Sequence, residues 1–139
     1  MYAINNLRLR ESVGVILHDH GVEFFKANIR EAISLKMNFP DIINLLKYFD
    51  GTTSIQQIAE NYGLIDIQQL ATLAKYLKEQ FVLIEQDVAY PVDIIEKDCR
   101  LINLLEDYFH STSDVLSAIE RLKNSTVMVI GLGAVGSFI

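Results

Sequence analysis

Ile29-Arg30-Glu31-Ala32-Ile33-Ser34-Leu35-Lys36-Met37 alternates in character, and then the spacing changes: Ile42, Leu45, Leu46 and Phe49 recur three and four residues apart. A period of two places Ile33, Leu35 and Met37 on one face of a strand, whereas a period near 3.6 gathers the second set on one face of a helix. The chain therefore passes from sheet to helix between these two runs. Upstream, residues 13–17 are rich in β-branched side chains, His18-Asp19-His20-Gly21 reads as a turn, and residues 22–26 make a second strand. Gly21 can take positive φ there without steric cost. With Ala27-Asn28 as a second turn, the sequence predicts a three-stranded antiparallel meander that ends in the alternating strand.

Downstream the signals are helical. Pro40 sits where a first helical turn tolerates it, and Asp50-Gly51 stops that helix. Ser54-x-x-Gln57 has the spacing of a capping box and opens a second apolar stripe of Ile55, Ile58, Ala59 and Tyr62, which Gly63 closes. Asp66-x-x-Gln69 resembles another cap. Leu70, Leu73, Ala74, Leu77 and Phe81 form the stripe of a third helix, and residues 82–85 read as a short closing strand. Three strands, three helices and a closing strand are the pattern of a winged helix-turn-helix of about 80 residues, enough for one modest core.

Residues 88–98, with Pro91, read as a linker. Two helices follow, one carrying Leu101, Ile102, Leu105, Tyr108 and Phe109, the other Val115, Leu116, Ile119 and Leu122, with Ser113 or Asp114 near its start. Asn124-Ser125 breaks the second. Thr126-Val127-Met128-Val129-Ile130 is apolar throughout, as a parallel strand buried on both faces would be. Gly131-Leu132-Gly133-Ala134-Val135-Gly136 follows directly, in the spacing G-x-G-x-x-G. After a strand, that spacing supplies a tight turn, close backbone approach to a phosphate, and close packing of the helix that follows. The fold expected is α+β: meander, winged helix-turn-helix, two helices, then the first strand and Gly-rich turn of a Rossmann-like fold. The chain stops at Ile139, three residues past the motif, and reads as the front piece of a longer protein.

Composition narrows the function. Of 139 residues, half are hydrophobic and 22% are charged, which is globular composition. The formal net charge is −6; residues 1–87 carry 8 basic and 11 acidic side chains and the remainder 4 and 7, so each part stands at −3. That balance argues against a nucleic-acid module, which needs clustered Lys and Arg. The third helix does hold Lys75, Tyr76 and Lys78, and Glu79 lies on the same element. One cysteine, Cys99, precludes an internal disulfide and a Cys-rich zinc site, and its neighbour Asp98 argues against an activated thiolate. His18 and His20 flank Asp19 in what reads as a solvated turn. No metal site and no catalytic triad is signalled. The N-terminus shows no signal-peptide pattern and no run reaches the length of a membrane span, so the cytoplasm is the expected location.

Two resemblances rest on these residues. Residues 7–87 resemble a PqqD-like domain, the leader-peptide recognition element of ribosomal peptide natural-product pathways. The match lies in Ala32-Ile33-Ser34-Leu35-Lys36, in Ile42-Ile43-Asn44-Leu45-Leu46, and in Asp50-Gly51-Thr52-Thr53-Ser54-Ile55-Gln56-Gln57-Ile58. The closing helix and Phe81-Val82-Leu83-Ile84 also fit. Residues 101–139 resemble the entry to the ThiF/MoeB/HesA adenylating fold, through Leu122-Lys123-Asn124-Ser125-Thr126-Val127 and Gly131 to Ser137.

The resemblances imply a peptide-binding winged-helix domain over 1–87, the linker, and a truncated nucleotide-binding domain from 99 to 139. They imply capture of a precursor peptide by β-augmentation and its delivery to an adenylating or cyclodehydratase-docking domain, as in bacteriocin biosynthesis. Peptide-binding residues are then Ile33, Ser34, Leu35 and Lys36 on the strand and Leu73 and Tyr76 on the third helix. Gly131, Gly133 and Gly136 would meet ATP, with magnesium, in the full-length parent, whose catalytic residues lie beyond Ile139; no cofactor is expected for this piece. Expected partners are the leader peptide, a cyclodehydratase or other modifying enzyme, and a second copy of the chain through its apolar tail. Residues 1–87 are expected to fold on their own. A winged-helix DNA-binding regulator and the start of an NAD-dependent oxidoreductase stay open as alternatives.

Overall fold

The structure, a computed structural model, describes residues 6–36 and 42–131. It is a mixed α+β protein with a three-stranded antiparallel sheet and five helices among the described residues. Strand β1 (Leu7–Leu9) comes first, and nothing in the sequence reading anticipates it. It pairs antiparallel with β5 (Leu83–Glu85), the expected closing strand, in a separate two-stranded sheet. The meander follows in the order β2 (Val13–His18), β3 (Gly21–Lys26), β4 (Glu31–Leu35). His18 faces Gly21 across a turn of Asp19 and His20 alone. The second turn is longer than Ala27-Asn28. It runs from 27 to 30 with Arg30 at φ 56°, so Ile29 belongs to the turn and not to the strand. Met37 and Pro40 lie outside the described residues.

Helices α1 (Ile42–Lys47), α2 (Ile55–Tyr62) and α3 (Ile67–Glu79) close over one face of the meander. Val13, Val22 and Phe24 from the sheet meet Ile42, Leu45 and Leu46, then Ile55, Ile58, Leu70, Ala74 and Leu77, in a single buried cluster. These are the stripe positions of the sequence, and each buried aliphatic side chain contributes about 1.5–3 kcal/mol before entropy is counted. The capping box forms as read, with the Ser54 side chain accepting from the Gln57 N–H and the Gln57 side chain accepting from the Ser54 N–H. Gly63, at φ 71°, ends α2. Asp66 caps α3 by accepting from the Gln68 N–H, without the reciprocal bond from Gln69.

The turn before α2 is held by one carboxylate. Asp50 accepts from the Thr52 N–H (2.8 Å), the Thr52 hydroxyl (2.9 Å), the Thr53 N–H (3.0 Å) and the Thr53 hydroxyl (3.2 Å). The Thr52 N–H bond does most to hold its pKa below the ordinary carboxylate value. Gly51, at φ 83°, lets the chain double back, and a Cβ there would lie 2.8 Å from the Gln86 side-chain oxygen.

Residues read as a linker are partly helical: α4 (Val92–Leu105) begins one residue after Pro91. It kinks at Asp98 (φ −119°), whose carboxylate pairs with Lys123 on α5 (Thr112–Lys123) at 3.4 Å. Ser113 and Asp114 lie in the first turn of α5, as expected, and its cap is Ser111. Asp87 supports the same helix start: it accepts from the Ser113 N–H (2.9 Å) and from the Ser113 hydroxyl. Ile102, Val115 and Ile119 from these two helices pack on Ile84 of β5 as a second cluster. The expectation that residues 1–87 stand alone therefore meets two ties, the burial of Ile84 and a set of polar contacts from Arg8, Arg10 and Ser12 to residues 106–109.

The buried strand expected over 126–130 does not form. Those residues lie outside any helix or strand, with Val127 78%, Met128 81% and Ile130 88% exposed. A strand apolar on both faces needs a paired edge and a packed layer on each face, and none of the described strands pairs with it. Among the described residues, no helix is long and apolar enough to cross a membrane.

Three variants test this arrangement. Cutting the chain after Asn124 leaves the thermal melt, followed by circular dichroism, within a few degrees of the parent's and lowers any self-association. Cutting after Asp87 exposes Ile84 and strips Arg8 and Arg10 of partners, and should lower the midpoint by ~10 °C or more. Asp50→Asn weakens the α2 turn at pH 7. Because the folded-state pKa of Asp50 is depressed, its contribution is complete above the unfolded value of about 4 and fades as pH falls through the lower folded value. Denaturant midpoints of parent and variant should converge below that window.

Candidate functional site: the open edge of the meander beside the third helix

The site grows from β4. Among the described strands β4 pairs on one side only, with β3. The ladder fixes which of its backbone groups are free. In a hairpin closed by two residues, the flanking pair His18 and Gly21 is hydrogen-bonded, so odd-numbered residues of β3 point their N–H and C=O toward β2 and even-numbered ones toward β4. Val22 and Phe24 therefore bond to Leu35 and Ile33, their partners in register. Alternation leaves the N–H and C=O of Ala32 and Ser34 directed at the open edge. The position of Gly21 agrees: a Cβ there would fall 2.2 Å from the Leu35 carbonyl oxygen, which thus lies on the β3 side.

Side chains alternate in the other sense. Ile33 and Leu35 are half-buried and pack on the core, whereas Ala32 and Ser34 are exposed on the outer face. A groove of about 660 Å³ opens between the end of β4 and α3, lined by Leu35, Lys36, Gln68, Gln69, Thr72, Leu73 and Tyr76. Of the residues assigned to peptide binding, the structure brings Leu35, Lys36, Leu73 and Tyr76 together here. Ile33 and Ser34 lie upstream on the same strand and do not line the groove. The sequence reading missed Gln68, Gln69 and Thr72. Their signal was available, since Gln69, Thr72, Leu73 and Tyr76 are spaced as one helix face, next to the buried face of Leu70, Ala74 and Leu77.

Electrostatically the groove is sparse. Among the described residues Lys36 is the one charged residue that lines it, and none of the described acids pairs with it. The two lysines farther along α3 are engaged elsewhere, Lys78 with Glu85 at 2.6 Å and Lys75 with Glu79 at 4.0 Å.

A second cavity, of about 370 Å³, lies between the two-stranded sheet and α4, with Arg8, Gln86, Tyr90, Cys99, Ile102 and Glu106 among its walls. Glu106 is buried there, pairs with Arg8, and accepts from the Tyr90 hydroxyl at 2.8 Å. Burial, reinforced by the Glu106 charge, raises the Tyr90 pKa far above its ordinary value, which holds the phenol as a donor. This is a structural network that joins β1 to α4. No sequence pattern announced it, because Arg8 and Glu106 stand 98 residues apart and Tyr90 and Glu106 16 apart, beyond any local periodicity.

Of the glycine motif, only Gly131 is described. Its φ is 96°, and a Cβ on it would meet nothing within 4 Å. Gly133 and Gly136 lie outside the described residues. Comparison with protein-family models, with curated proteins and with solved structures finds no match in any of the three.

Gly21→Ala tests the ladder that orients the open edge. The added methyl must displace the Leu35 carbonyl, so the variant should lose about 1–3 kcal/mol in chemical denaturation. Its largest amide shifts should fall at Val22 and Leu35.

Proposed function

We propose that this chain captures a precursor (leader) peptide by β-augmentation on β4. The domain would be a PqqD-like winged helix-turn-helix that delivers the peptide to a ThiF-like adenylating or cyclodehydratase-docking domain beginning near residue 99. The observation that carries the reading is one juxtaposition: an open strand edge with the backbone groups of Ala32 and Ser34 directed outward, beside a groove walled by Leu35, Leu73 and Tyr76. An extended peptide added there gains main-chain hydrogen bonds from the strand and apolar contacts from the helix. The pairing of Lys78 with Glu85 at 2.6 Å and the net charge of −6 support a peptide over a nucleic acid as the ligand, since phosphate contacts need clustered free cations. The adenylating arm, with ATP and magnesium in the full-length parent, rests on the G-x-G-x-x-G spacing of Gly131, Gly133 and Gly136. The exposed apolar run at 127–130 supports association with a second copy of the chain.

The test is a titration of isotopically labelled protein with the leader peptides encoded beside its gene. Amide shifts concentrated at residues 32–36 and at Leu73 and Tyr76 are expected; shifts that leave β4 untouched overturn the reading. Ser34→Pro sharpens it. Proline there removes an N–H from the open edge and none from the β3 ladder, a position where sheets tolerate it. The variant should keep the parent's melt within a few degrees and lose peptide binding by tenfold or more, about 1.4 kcal/mol.

A further inference from the structure

We propose that β2 is a second interaction edge and that its occupant is β2 of another copy of this chain, paired antiparallel about a two-fold axis at Ile16. The proposal does not rest on peptide capture: the joined meanders run β4-β3-β2 and then β2-β3-β4, with both β4 edges left at the outer ends. Among the described strands β2 pairs on one side only, with β3. The ladder that orients β4 also orients β2. Gly14, Ile16 and His18 bond to Phe25, Glu23 and Gly21, so Val15 and Leu17 direct their N–H and C=O away from β3. One bond beyond the strand keeps the same phase, from the Ala27 N–H to the Ser12 carbonyl at 3.1 Å.

Open edges are commonly blunted by lysine or proline. β2 reads Val-Gly-Val-Ile-Leu-His, with neither, and its Ile16 and Leu17 are 46% and 53% exposed. A second copy fits because this edge is complementary to itself. Opposite residues of an antiparallel pair either both exchange hydrogen bonds or both do not, so odd-numbered residues face odd-numbered ones. Setting Ile16 against Ile16 places Val15 opposite the partner's Leu17, and Leu17 opposite the partner's Val15, as two hydrogen-bonded pairs. His18 then faces Gly14, and no like charges meet. Both exposed side chains leave water together, Ile16 on the outer face and Leu17 beside Val15 on the core side. The neighbouring registers are poorer. Setting Val15 against Val15 opposes Leu17 to Val13, whose N–H is already given to the Arg10 carbonyl at 3.1 Å. Setting Leu17 against Leu17 opposes Val15 to Asp19, which lies in the turn.

Ile16→Lys and Ile16→Glu provide the test, made in the full chain. Each alone sets like charges opposite one another across the axis, and a mixture of the two sets opposite ones. Sedimentation velocity of the parent should show a dimer that grows with concentration. Each variant alone should dissociate about tenfold more readily, and an equal mixture of the two should recover the parent's behaviour. Ile16 is exposed, and a far-UV spectrum and melt matched to the parent's keep the comparison valid. A covalent readout checks the register. In a Cys99→Ser chain, Ile16→Cys brings two thiols together across a non-hydrogen-bonded pair, whose Cα atoms lie about 4.5 Å apart, within reach of a disulfide. Oxidised glutathione should then link the copies, and should not link a chain carrying the exposed Gln56→Cys instead. A parent that stays monomeric at every concentration overturns the proposal, as does a mixture that recovers nothing or an Ile16→Cys chain that links no faster than the Gln56→Cys one. Association unmoved by either charge at Ile16 also overturns it, and assigns the contact to the apolar run at 127–130.

Discussion

Arg10 is the largest fully buried side chain among the described residues, and residues from both parts of the chain meet on it. Its Nε donates to the Leu83 carbonyl at 3.2 Å and its Nη1 to the Phe109 carbonyl at 2.8 Å, so one guanidinium ties β5 to the loop between α4 and α5. Its Cζ stands 5.1 Å from the centre of the Phe81 ring, which stacks in turn on His110 at 4.3 Å. Taking a guanidinium out of water is costly. Burial brings its pKa down to about 10 while Glu106 and Asp107 pull in the opposite direction, so the charge persists at neutral pH. Removing the side chain would leave two carbonyls without these donors and Asp107 without the nearby charge of Arg10, while Glu106 would keep Arg8. The arginine thus fixes arrangement more than it adds net stability.

Phe81 shows how firmly this centre is held. It sits at φ 59°, in the left-handed region where glycine is the usual occupant. The bonds of a Schellman turn surround it: the Val82 N–H reaches the Leu77 carbonyl at 2.9 Å and the Phe81 N–H reaches that of Lys78 at 3.1 Å. A side chain there costs about 1–2 kcal/mol of backbone strain. The ring's position between Arg10 and His110 offsets that cost, and it aims the chain leaving α3 straight into β5.

Much of this was legible in the sequence where the signal is local. The Ser54–Gln57 box, the Gly63 stop, the Asp19-His20 turn and the core stripes of α2 and α3 each depend on residues within one or two turns of chain. What escaped is what depends on distant partners. Leu7-Arg8-Leu9 is too short to announce a strand and becomes one because Leu83–Glu85 lies opposite it. Asn28, read as a plain turn residue, reaches Asp107 at 2.5 Å. The run at 126–130 shows the converse: its pattern speaks for a strand, yet a pattern cannot supply the neighbours that a ladder requires. The candidate site fell between these cases. Alternation over residues 29–37 marked the strand and helical spacing marked Leu73 and Tyr76, while the groove between them came from tertiary packing.

The alternation of β4 also bears on how this surface can change over generations. If β4 captures a peptide as proposed, the groups it would offer at Ala32 and Ser34 are main-chain groups, so substitutions there, proline apart, would leave the offer intact. Ile33 and Leu35 are constrained twice, by the ladder to β3 and by the core. Drift at the first pair is nearly silent, and drift at the second is checked by folding itself. Preference for one partner over another is then free to evolve on the exposed rim of α3, at Gln68, Gln69, Thr72 and Tyr76, without reopening the fold.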